Sequence, residues 1–504
     1  MSFAYGIDFG TTNSLVAGFS DLSGVFQSQG KAHAFYDLDQ QSPYPSVVRY
    51  FERGEQPEVG FNAKSRMYLA DEPGEGAFFK SIKRRLGKGE EVTLPDGNKL
   101  KAWEVASEIF SHLRKELYAS NAHYEKDYPI DEAVVTVPVD FDGRGRVEIA
   151  EAMRKAGIKP KAFVHEPFAA LIGHFYDGEK KLDHLAGKTI LVFDWGGGTL
   201  DLCLAEVSED GDRIYELGSD GIADRAGDDF DLRIFRELLA EFSKEKNLGD
   251  EFSVISSKKQ RLLEECERAK IRLSKADSES IILSNIYKEL NFSKILSRAQ
   301  FVDIIKVELD AAEKCLFRLL DRTGLSPRQV DHVLLAGGTS RIPAVAARLE
   351  THFGSKVKLA RDPRTVIAEG AAIVSHEEWK LYNHSDISVR LSDQTDFVVL
   401  ESGTELVPEN SQTFTFNCVD SRGGLAHFFL QQRRRQGDDE FINIGQMSLK
   451  THCEEARYRN LDRIIAEFSI SQEGILECTA KSSSTGDEKT LAIHQLTTGL
   501  MLKG

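Results

Sequence analysis

The stretch Gly6-Ile7-Asp8-Phe9-Gly10-Thr11-Thr12-Asn13 is the most informative part of the chain, because its Asp, Gly-rich turn and Thr return as Phe193-Asp194-Trp195-Gly196-Gly197-Gly198-Thr199-Leu200-Asp201. In each copy one apolar run leads into the Asp and a second leaves the turn, which predicts a β-hairpin. Glycines let backbone N–H groups approach phosphate oxygens, Thr hydroxyls can donate further hydrogen bonds, and Asp carboxylates can hold Mg²⁺ through its waters. A single turn would most simply be structural. Two copies predict two loops that close on one nucleotide.

Length and composition indicate a globular protein of two or more domains. The chain has 504 residues, of which 41% are hydrophobic and 29% are charged, and this length exceeds one ordinary core. The net charge of −16 argues against a nucleic-acid partner, because Lys and Arg carry affinity for phosphate. The six cysteines lie far apart, and no uncharged stretch is long enough to span a bilayer. We therefore expect a cytoplasmic protein with reduced thiols, no leader segment and no membrane partner.

The pattern of apolar residues along the chain changes near residue 383. From residue 3 to about 375, short β-rich runs alternate with longer helical patterns, which is typical of α/β architecture. After about residue 384 the helical periodicity disappears, and short apolar runs separated by turn residues predict a β-sandwich. We therefore predict an α/β domain with a duplicated core over residues 1–383 and an all-β domain over residues 384–504.

Three segments of the first domain give clear local predictions. Residues 146–156 are predicted to form a helix that stops at Gly157. The segment Ser256–Leu273 has helical periodicity with one apolar face. The strand His332–Ala336 is predicted to run into a Gly-rich turn at residues 337–341, the geometry in which α/β folds bind ligands.

The chain resembles the heat shock protein 70 (DnaK-type) chaperones in a series of stretches that occur in the same order, namely both hairpins, residues 134–146, His165-Glu166-Pro167, Cys266-Glu267-Arg268-Ala269-Lys270 and residues 337–343. The resemblance covers nearly the whole chain, and a more distant one connects it to the actin and sugar-kinase superfamily. It implies an actin-like, two-lobed ATPase domain followed by a β-domain that binds extended peptides. It also implies that Pro138 and Arg146 relay the nucleotide state to that domain.

The resemblance assigns roles to individual residues. It implies two phosphate loops, formed by Gly10, Thr11, Thr12 and Asn13 and by Gly196, Gly197, Gly198 and Thr199. It implies ATP or ADP with Mg²⁺ between the loops, with K⁺ as a further candidate cation, and metal-holding carboxylates at Asp8, Asp194 and Asp201. It implies catalysis by Lys83, Glu166, Asp194 and Thr199. It implies adenosine contacts from Glu267, Lys270 and Ser274 on one helix and from Gly337, Gly338, Thr339 and Arg341 on the opposite turn.

Local sequence alone leaves simpler interpretations open. Lys83 lies in a crowd of basic residues that by itself favours a solvated surface, made up of Lys80, Lys83, Arg84, Arg85 and Lys88. Glu166 before Pro167 could simply end a strand. Glu267, Lys270 and Ser274 recur three and four apart, so they share a helix face that could be an ordinary ion-paired surface.

The chain also departs from the family pattern. Ile271 stands where an adenine-stacking arginine is usual, and Arg364 stands where the family has Asp after Asp362-Pro363. Residues 379–386 replace the Leu-rich linker, and no helical lid follows the β-domain before Gly504. These departures predict altered nucleotide affinity, fast peptide release and weaker control by ATP.

Three functions remain open at this point. The resemblance favours an ATP-hydrolysing chaperone that binds unfolded or client polypeptides, with a J-domain cochaperone and a nucleotide exchange factor as further candidate partners. The departures at Ile271, Arg364 and the linker also permit a scaffold that binds nucleotide and hydrolyses it scarcely. A small-molecule kinase of the same superfamily would need a carboxylate base near an acceptor hydroxyl, and the sequence has no dedicated acceptor motif.

Overall fold

The structure is a computed structural model. It describes residues 3–502 apart from residues 21–31, 38–41, 53–54, 68–75, 121, 140, 179–180, 224, 249–253, 255, 419–423, 434–440, 452–461, 472, 495 and 497.

The first hairpin lies in the middle of the first lobe. Its strands Ala4–Phe9 and Asn13–Phe19 are antiparallel, as predicted. On the other side of Ala4–Phe9 lie two strands parallel to it, Glu132–Val137 and then Lys159–His165. Ala4–Phe9 and Glu132–Val137 are buried almost throughout, as expected for parallel strands covered on both faces.

The second hairpin repeats this plan in the second lobe. Its strands Thr189–Trp195 and Thr199–Val207 are antiparallel, with Asp194 opposite Asp201. Two parallel strands again follow on the side of the first strand, His332–Ala336 and then Val357–Leu359. The repeated plan confirms the prediction of an α/β fold with a duplicated core.

The other elements of the described residues complete the fold. The helices are Phe61–Arg66, Ala102–Ser120, Ala122–Asp127, Gly143–Lys155, Glu166–Phe175, Gly227–Glu245, Ser256–Leu273, Arg298–Ile304, Lys306–Thr323, Pro343–Phe353 and Val366–Glu377. The first lobe also has the strands His33–Phe35, Tyr44–Pro45, Val47–Tyr50, Glu58–Val59, Ala77–Lys80, Glu91–Thr93 and Lys99–Lys101. The second lobe adds Arg213–Ala223 beside its hairpin and the pair Ser278–Tyr287 and Leu290–Ser297.

Two helices cross between the lobes. Glu166–Phe175 follows a strand of the first sheet but also packs on the second hairpin, whereas Val366–Glu377 follows the second sheet and packs on the first hairpin. The helices touch through Gly173 and Gly370, where a Cβ atom would collide with the backbone of the opposite helix. Only glycine permits this close approach of the two helices. The two lobes therefore meet where these helices touch.

The local helix predictions are confirmed. The helix Gly143–Lys155 begins at Asp142, whose carboxylate accepts the Gly145 N–H at 3.1 Å. Gly157 stops the chain from continuing as a helix, with a left-handed φ of 76°. Ser256–Leu273 is a helix over the whole predicted segment.

The β-domain consists of two four-stranded antiparallel sheets, counted over the described residues. One contains Ile387–Arg390, Asp396–Leu400, Leu425–Arg433 and Phe441–Lys450, and the other contains Gln412–Asn417, Arg463–Ile470, Leu476–Ser482 and Glu488–Ile493. Alternate residues such as Leu430, Leu449 and Phe468 point inward and form its core. The prediction of an all-β fold after the α/β part is therefore confirmed.

The β-domain lies against the first lobe. The Gly143 N–H donates to the His494 carbonyl at 3.0 Å, and Arg154 forms an ion pair with Glu473 at 2.8 Å. In addition, the strand Thr498–Met501, which we call the return strand, leaves the β-domain and joins the sheet of the second lobe. The division into domains at residue 383 stays a prediction. The sheet topology shows in addition that the chain returns from the β-domain to the second lobe through the return strand.

Candidate active site

One cleft between the two lobes contains every site residue predicted from the sequence. Its volume is about 1430 Å³. Its lining includes Asp8, Gly10, Thr11, Thr12, Asn13, Lys83, Glu166, Asp194, Gly196, Gly197, Gly198, Thr199, Asp201, Glu267, Lys270, Ser274, Gly337, Gly338, Thr339 and Arg341. Residues that are more than 300 positions apart in the chain therefore face one space.

The two hairpin loops face each other across the inner part of the cleft. A Cβ atom added to Gly197 would lie 2.8 Å from Thr12 Oγ1, and one added to Gly198 would lie 3.1 Å from Thr11 Cγ2. Side chains at these glycines would therefore force the loops apart. The close approach supports the prediction that the glycines bring backbone N–H groups to one ligand.

Two buried serines support the first loop from behind. Ser14 Oγ accepts the Gly10 N–H at 3.2 Å and lies 2.9 Å from Ser46 Oγ. Ser46 Oγ in turn donates to the Gly10 carbonyl at 2.8 Å. Because both polar groups of Gly10 are bonded in this way, the loop is held in one conformation before any ligand binds.

Lys83 and Glu166 form a buried ion pair in the cleft. Lys83 lies on the short 3₁₀ turn Ile82–Arg85, its side chain is only 4% exposed, and its ammonium bonds to Glu166. Glu166 is the first residue of the helix Glu166–Phe175, where the helix dipole favours negative charge. The interpretation of Lys83 as part of a solvated basic surface is therefore wrong, and Glu166 does more than end a strand.

The carboxyl groups of the hairpins are buried close to one another. Burial raises the pKa of Asp8 to about 7, and the negative charge of Glu166 adds to this effect. Burial also raises the pKa of Asp194, with further contributions from Glu166, Asp201 and Asp8. Asp201 accepts a hydrogen bond from the Thr199 hydroxyl at 2.6 Å. The pKa values are raised first because burial removes the carboxyl groups from water and second because their neighbours are negative, and a bound cation would offset both effects.

These oxygen donors suit a hard divalent cation. Within the described part of the chain, no three His, Cys, Asp or Glu side chains lie close enough together to hold a metal directly. Asp8, Asp194 and Asp201 nevertheless face the same cleft, and a cation bound through its own waters needs no closer arrangement. A Mg²⁺ ion with its water shell would also supply positive charge.

Glu267 and Lys270 lie on the helix Ser256–Leu273 and are tied to other elements. Lys64 Nζ lies 2.9 Å from both carboxylate oxygens of Glu267 and joins the two lobes across the cleft. Lys270 Nζ donates to the Gly227 carbonyl and to Asp231, each at 2.7 Å. Burial alone would raise the pKa of Glu267, but its lysine neighbours lower it. The two residues are therefore more than the solvated ion pairs of an ordinary helix surface.

The Gly-rich turn faces this helix from the opposite side. The Thr339 hydroxyl donates to the Gly196 carbonyl at 2.7 Å and so fixes the turn to the second phosphate loop. A Cβ atom at Gly338 would meet nothing within 4 Å. The guanidinium of Arg341 lies 3.9 Å from Asp362, and Arg364 pairs with the same carboxylate at 2.8 Å. Arg364 thus adds a second cation to the Asp362 carboxylate.

Ile271 lines the same cleft as Arg341. Its side chain is 60% exposed, which is unusual for an isoleucine. The position predicted to lack an adenine-stacking arginine is therefore accessible from the cleft.

Sequence reasoning missed several residues that the fold brings to the cleft. Lys64 reaches Glu267, the Arg84 guanidinium donates to the Gly198 carbonyl, and Thr12 Oγ1 donates to Asp228 at 3.4 Å. The missed residues are thus Lys64, Arg84 and Asp228, and none of these three stands within a phosphate-loop pattern. Asp228 belongs to Gly227-Asp228-Asp229, a stretch whose adjacent carboxylates were a usable signal.

Comparison with known proteins agrees with this geometry. A family model described as Hsp70 protein matches residues 4–501. A relative described as chaperone protein dnaK, from Emiliania huxleyi, is 29% identical over 524 residues, which cover 98% of this chain and 80% of the relative. The chain therefore belongs to the Hsp70 family. It is an ATP-dependent chaperone of the Hsp70 type.

No helix among the described residues is both long enough and apolar enough to cross a bilayer.

Proposed function

We propose that this protein hydrolyses ATP slowly between its two hairpin loops and uses the nucleotide state to control polypeptide binding by the β-domain. The observation that carries the proposal is the buried Lys83–Glu166 ion pair in the cleft that the loops enclose. A buried ion pair is costly unless it is well bonded, and it is weak evidence for stability. A role in catalysis therefore explains the buried ion pair better than a contribution to the stability of the fold does.

We assign the chemistry of the γ-phosphate to four residues. Lys83, held in place by Glu166, orients the attacking water and neutralises charge that develops on the phosphoryl oxygens. Asp194, whose pKa is raised by burial, accepts a proton from that water. The Thr199 hydroxyl, positioned by Asp201, contacts the phosphate.

We assign the cation to the same region. Mg²⁺ would be held through its waters by Asp8, Asp194 and Asp201, where it would neutralise the phosphate charge, and K⁺ is a second candidate cation. The raised pKa of Asp8 means that a cation and protons compete for this carboxylate near neutral pH.

We assign the adenosine to the outer part of the cleft. Glu267, Lys270 and Ser274 face it from one side, and the turn containing Gly338 and Arg341 faces it from the other. The open space at Gly338 leaves room for a flat base against the backbone.

We assign the client polypeptide to the β-domain. Phe397 and Val398 expose 38% and 39% of their surface on the strand Asp396–Leu400. The ring of Phe397 lies 5.2 Å from Phe414 and 5.4 Å from Phe416, which forms an aromatic surface beside these residues. An extended peptide could bind there through apolar contacts and backbone hydrogen bonds. A J-domain cochaperone, an exchange factor and a cytoplasmic location stay predictions.

A Lys83→Ala variant tests the hydrolysis step. We expect ATP binding to persist and single-turnover hydrolysis to fall by about 10²-fold or more, because one electrostatic contact is worth that much in a dry site. The exposed Lys88 of the same basic cluster provides the control, and Lys88→Ala should hydrolyse ATP at the wild-type rate. Equal rates for all three proteins would remove Lys83 from the mechanism.

The experiment also separates the second candidate function. The exposed Ile271, which replaces a stacking cation, favours a scaffold that binds nucleotide with little hydrolysis. Wild-type turnover at the level of buffer with saturating Mg-ATP, together with retained binding, would select the scaffold.

A further inference from the structure

The return strand Thr498–Met501 lies between two strands of the second lobe. On one side it pairs with Arg213–Ala223, with Ile214 opposite Leu500. On its other side lies Lys380–Asn383, which we call the linker strand because it leads into the β-domain, with Tyr382 opposite Gly499. The chain thus enters and leaves the β-domain through neighbouring antiparallel strands of one sheet.

The return strand is packed as an interior strand. Leu500 is fully buried, and Leu502 is 4% exposed. Both belong to an apolar core that the two lobes share, which also contains Ile190, Val207, Ile214 and Trp379. The Leu502 N–H donates to the Asp212 carbonyl at 2.7 Å and extends the ladder beyond the strand.

Gly499 fits this position because of its neighbour. A Cβ atom at residue 499 would lie 2.5 Å from a ring carbon of Tyr382 and 2.6 Å from its hydroxyl oxygen. The Tyr382 ring therefore lies across the backbone of the return strand. Arg213 lies on the same ring, with its guanidinium carbon 5.5 Å from the ring centroid. The packing joins all three strands.

The linker strand is also bonded on its outer side. The Asn383 N–H donates to the Thr404 carbonyl at 2.8 Å, and the Leu406 N–H donates to the Leu381 carbonyl at 3.0 Å. Thr404 and Leu406 belong to the β-domain. The hydrogen bonds therefore run without a break from the sheet of the ATPase domain, through the return and linker strands, into the β-domain.

We propose that the return strand acts as a strap that keeps the β-domain docked on the ATPase domain in every nucleotide state. A domain attached by the linker strand alone could detach when that strand left the sheet. Here, detachment also requires the ladder with Arg213–Ala223 to break and Leu500 and Leu502 to leave the core. This inference concerns domain attachment and holds with or without ATP hydrolysis.

A disulfide across the strap tests whether it ever leaves. The bond from Leu502 to Asp212 makes the next pair, Arg213 and Met501, a non-hydrogen-bonded pair, in which side chains are closest. The double variant Arg213→Cys with Met501→Cys should therefore cross-link on mild oxidation. We expect the same initial cross-linking rate without nucleotide, with ADP and with ATP, and the single-cysteine variants serve as controls. Much slower cross-linking in any one nucleotide state would overturn the proposal.

Removing the strap gives the complementary test. In Leu500→Asp a carboxylate would enter the core, so the strand should leave the sheet. We expect a larger radius of gyration by small-angle X-ray scattering and faster proteolysis around residues 383–386. Ile295→Asp adds the same charge at a side chain that is 70% exposed and should behave like the wild type.

Two outcomes would contradict the strap. One is a Leu500→Asp variant that binds nucleotide and stays as compact as the wild type. The other is a wild-type protein that expands when ADP replaces ATP. Should Leu500→Asp fail to fold, the cross-linking rates still decide, because both substituted side chains lie outside the apolar core.

Discussion

The side chain of Arg146 donates through Nε to the Glu473 main-chain oxygen at 2.9 Å, which joins the first lobe to the β-domain. Further bonds of 3.5 Å reach the carbonyls of Gly474 and His494. Arg146 is buried on the helix Gly143–Lys155. Its charge is therefore solvated largely by the backbone of the other domain, so this guanidinium couples the first lobe directly to the docked β-domain.

Replacing Arg146 should weaken communication between the domains. In Arg146→Ala the carbonyls of Glu473 and Gly474 lose a charged donor, which is worth about 1.5–3 kcal/mol per bond. We expect the ratio of peptide affinities with ADP and with ATP to fall towards one, as measured by fluorescence anisotropy. Arg144→Ala is the control, because that exposed residue pairs with Asp142 in its own domain. An unchanged ratio in Arg146→Ala would separate this contact from coupling.

Two neighbouring glycines of the second loop should respond differently to alanine. A Cβ atom at Gly197 would lie 2.8 Å from Thr12 Oγ1, whereas one at Gly196 would come no closer than 3.8 Å to any atom. We therefore expect Gly197→Ala to push the loops apart and to weaken ADP binding by about tenfold, equivalent to roughly 1.4 kcal/mol. Calorimetry with Gly196→Ala beside it checks the difference. Equal losses in both variants would argue against contact between the loops.

An arginine at position 271 should strengthen nucleotide binding. The exposed Ile271 lines the same cleft as Arg341, and a cation stacked on a base contributes about 0.5–1 kcal/mol at an exposed site. We expect Ile271→Arg to lower the Kd for ATP by about two- to fivefold. Ile282→Arg, at a side chain that is 59% exposed and outside the cleft, should leave the Kd unchanged. A gain in both variants would reflect net charge alone.

Asp8→Asn should stabilise the nucleotide-free protein in a pH-dependent manner. The pKa of Asp8 is raised from 3.8 to about 7 in the folded protein, so the folded state holds a proton that the unfolded state has lost. The wild type therefore loses stability as pH rises from about 4 to about 7, and the loss is constant above that range. Relative to the wild type, Asp8→Asn should gain on the order of 2 kcal/mol at pH 8 and much less at pH 4.5.

Urea unfolding without Mg²⁺ or nucleotide, at both pH values, measures this gain. Asp303→Asn, at an exposed residue, should show no such trend. If Asp8→Asn raised the free energy of unfolding by the same amount at both pH values, burial would not destabilise the charged form of the Asp8 carboxyl.

The sequence was most informative where local chemistry determines structure. Gly157 ends its helix as predicted, the segment Ser256–Leu273 is helical over its full length, and the repeated Asp and Gly turns do face one cleft. Each of these features depends on backbone freedom or on periodicity within a few turns, which the sequence carries directly.

The features that the sequence did not reveal depend on distant partners. Lys83 looked solvated among basic neighbours, but its partner Glu166 is 83 residues away. The return strand Thr498–Met501 gave no sign that it pairs with Arg213–Ala223. For the β-domain the sequence predicts short strands only in general, and it does not single out Ile387–Arg390, Phe441–Lys450 or Glu488–Ile493. Only the assembled sheets determine which of these short runs find a neighbour.

The antiparallel pairing of linker and return strands makes the β-domain removable. Asn383 lies directly opposite Thr498, so a two-residue Asn-Gly turn could connect them as a hairpin and delete everything between. Truncation after Asn383 would instead strip the Arg213–Ala223 edge and leave an open ladder prone to aggregation. The shortened chain would retain the complete sheet, and another domain could be grafted at the same junction.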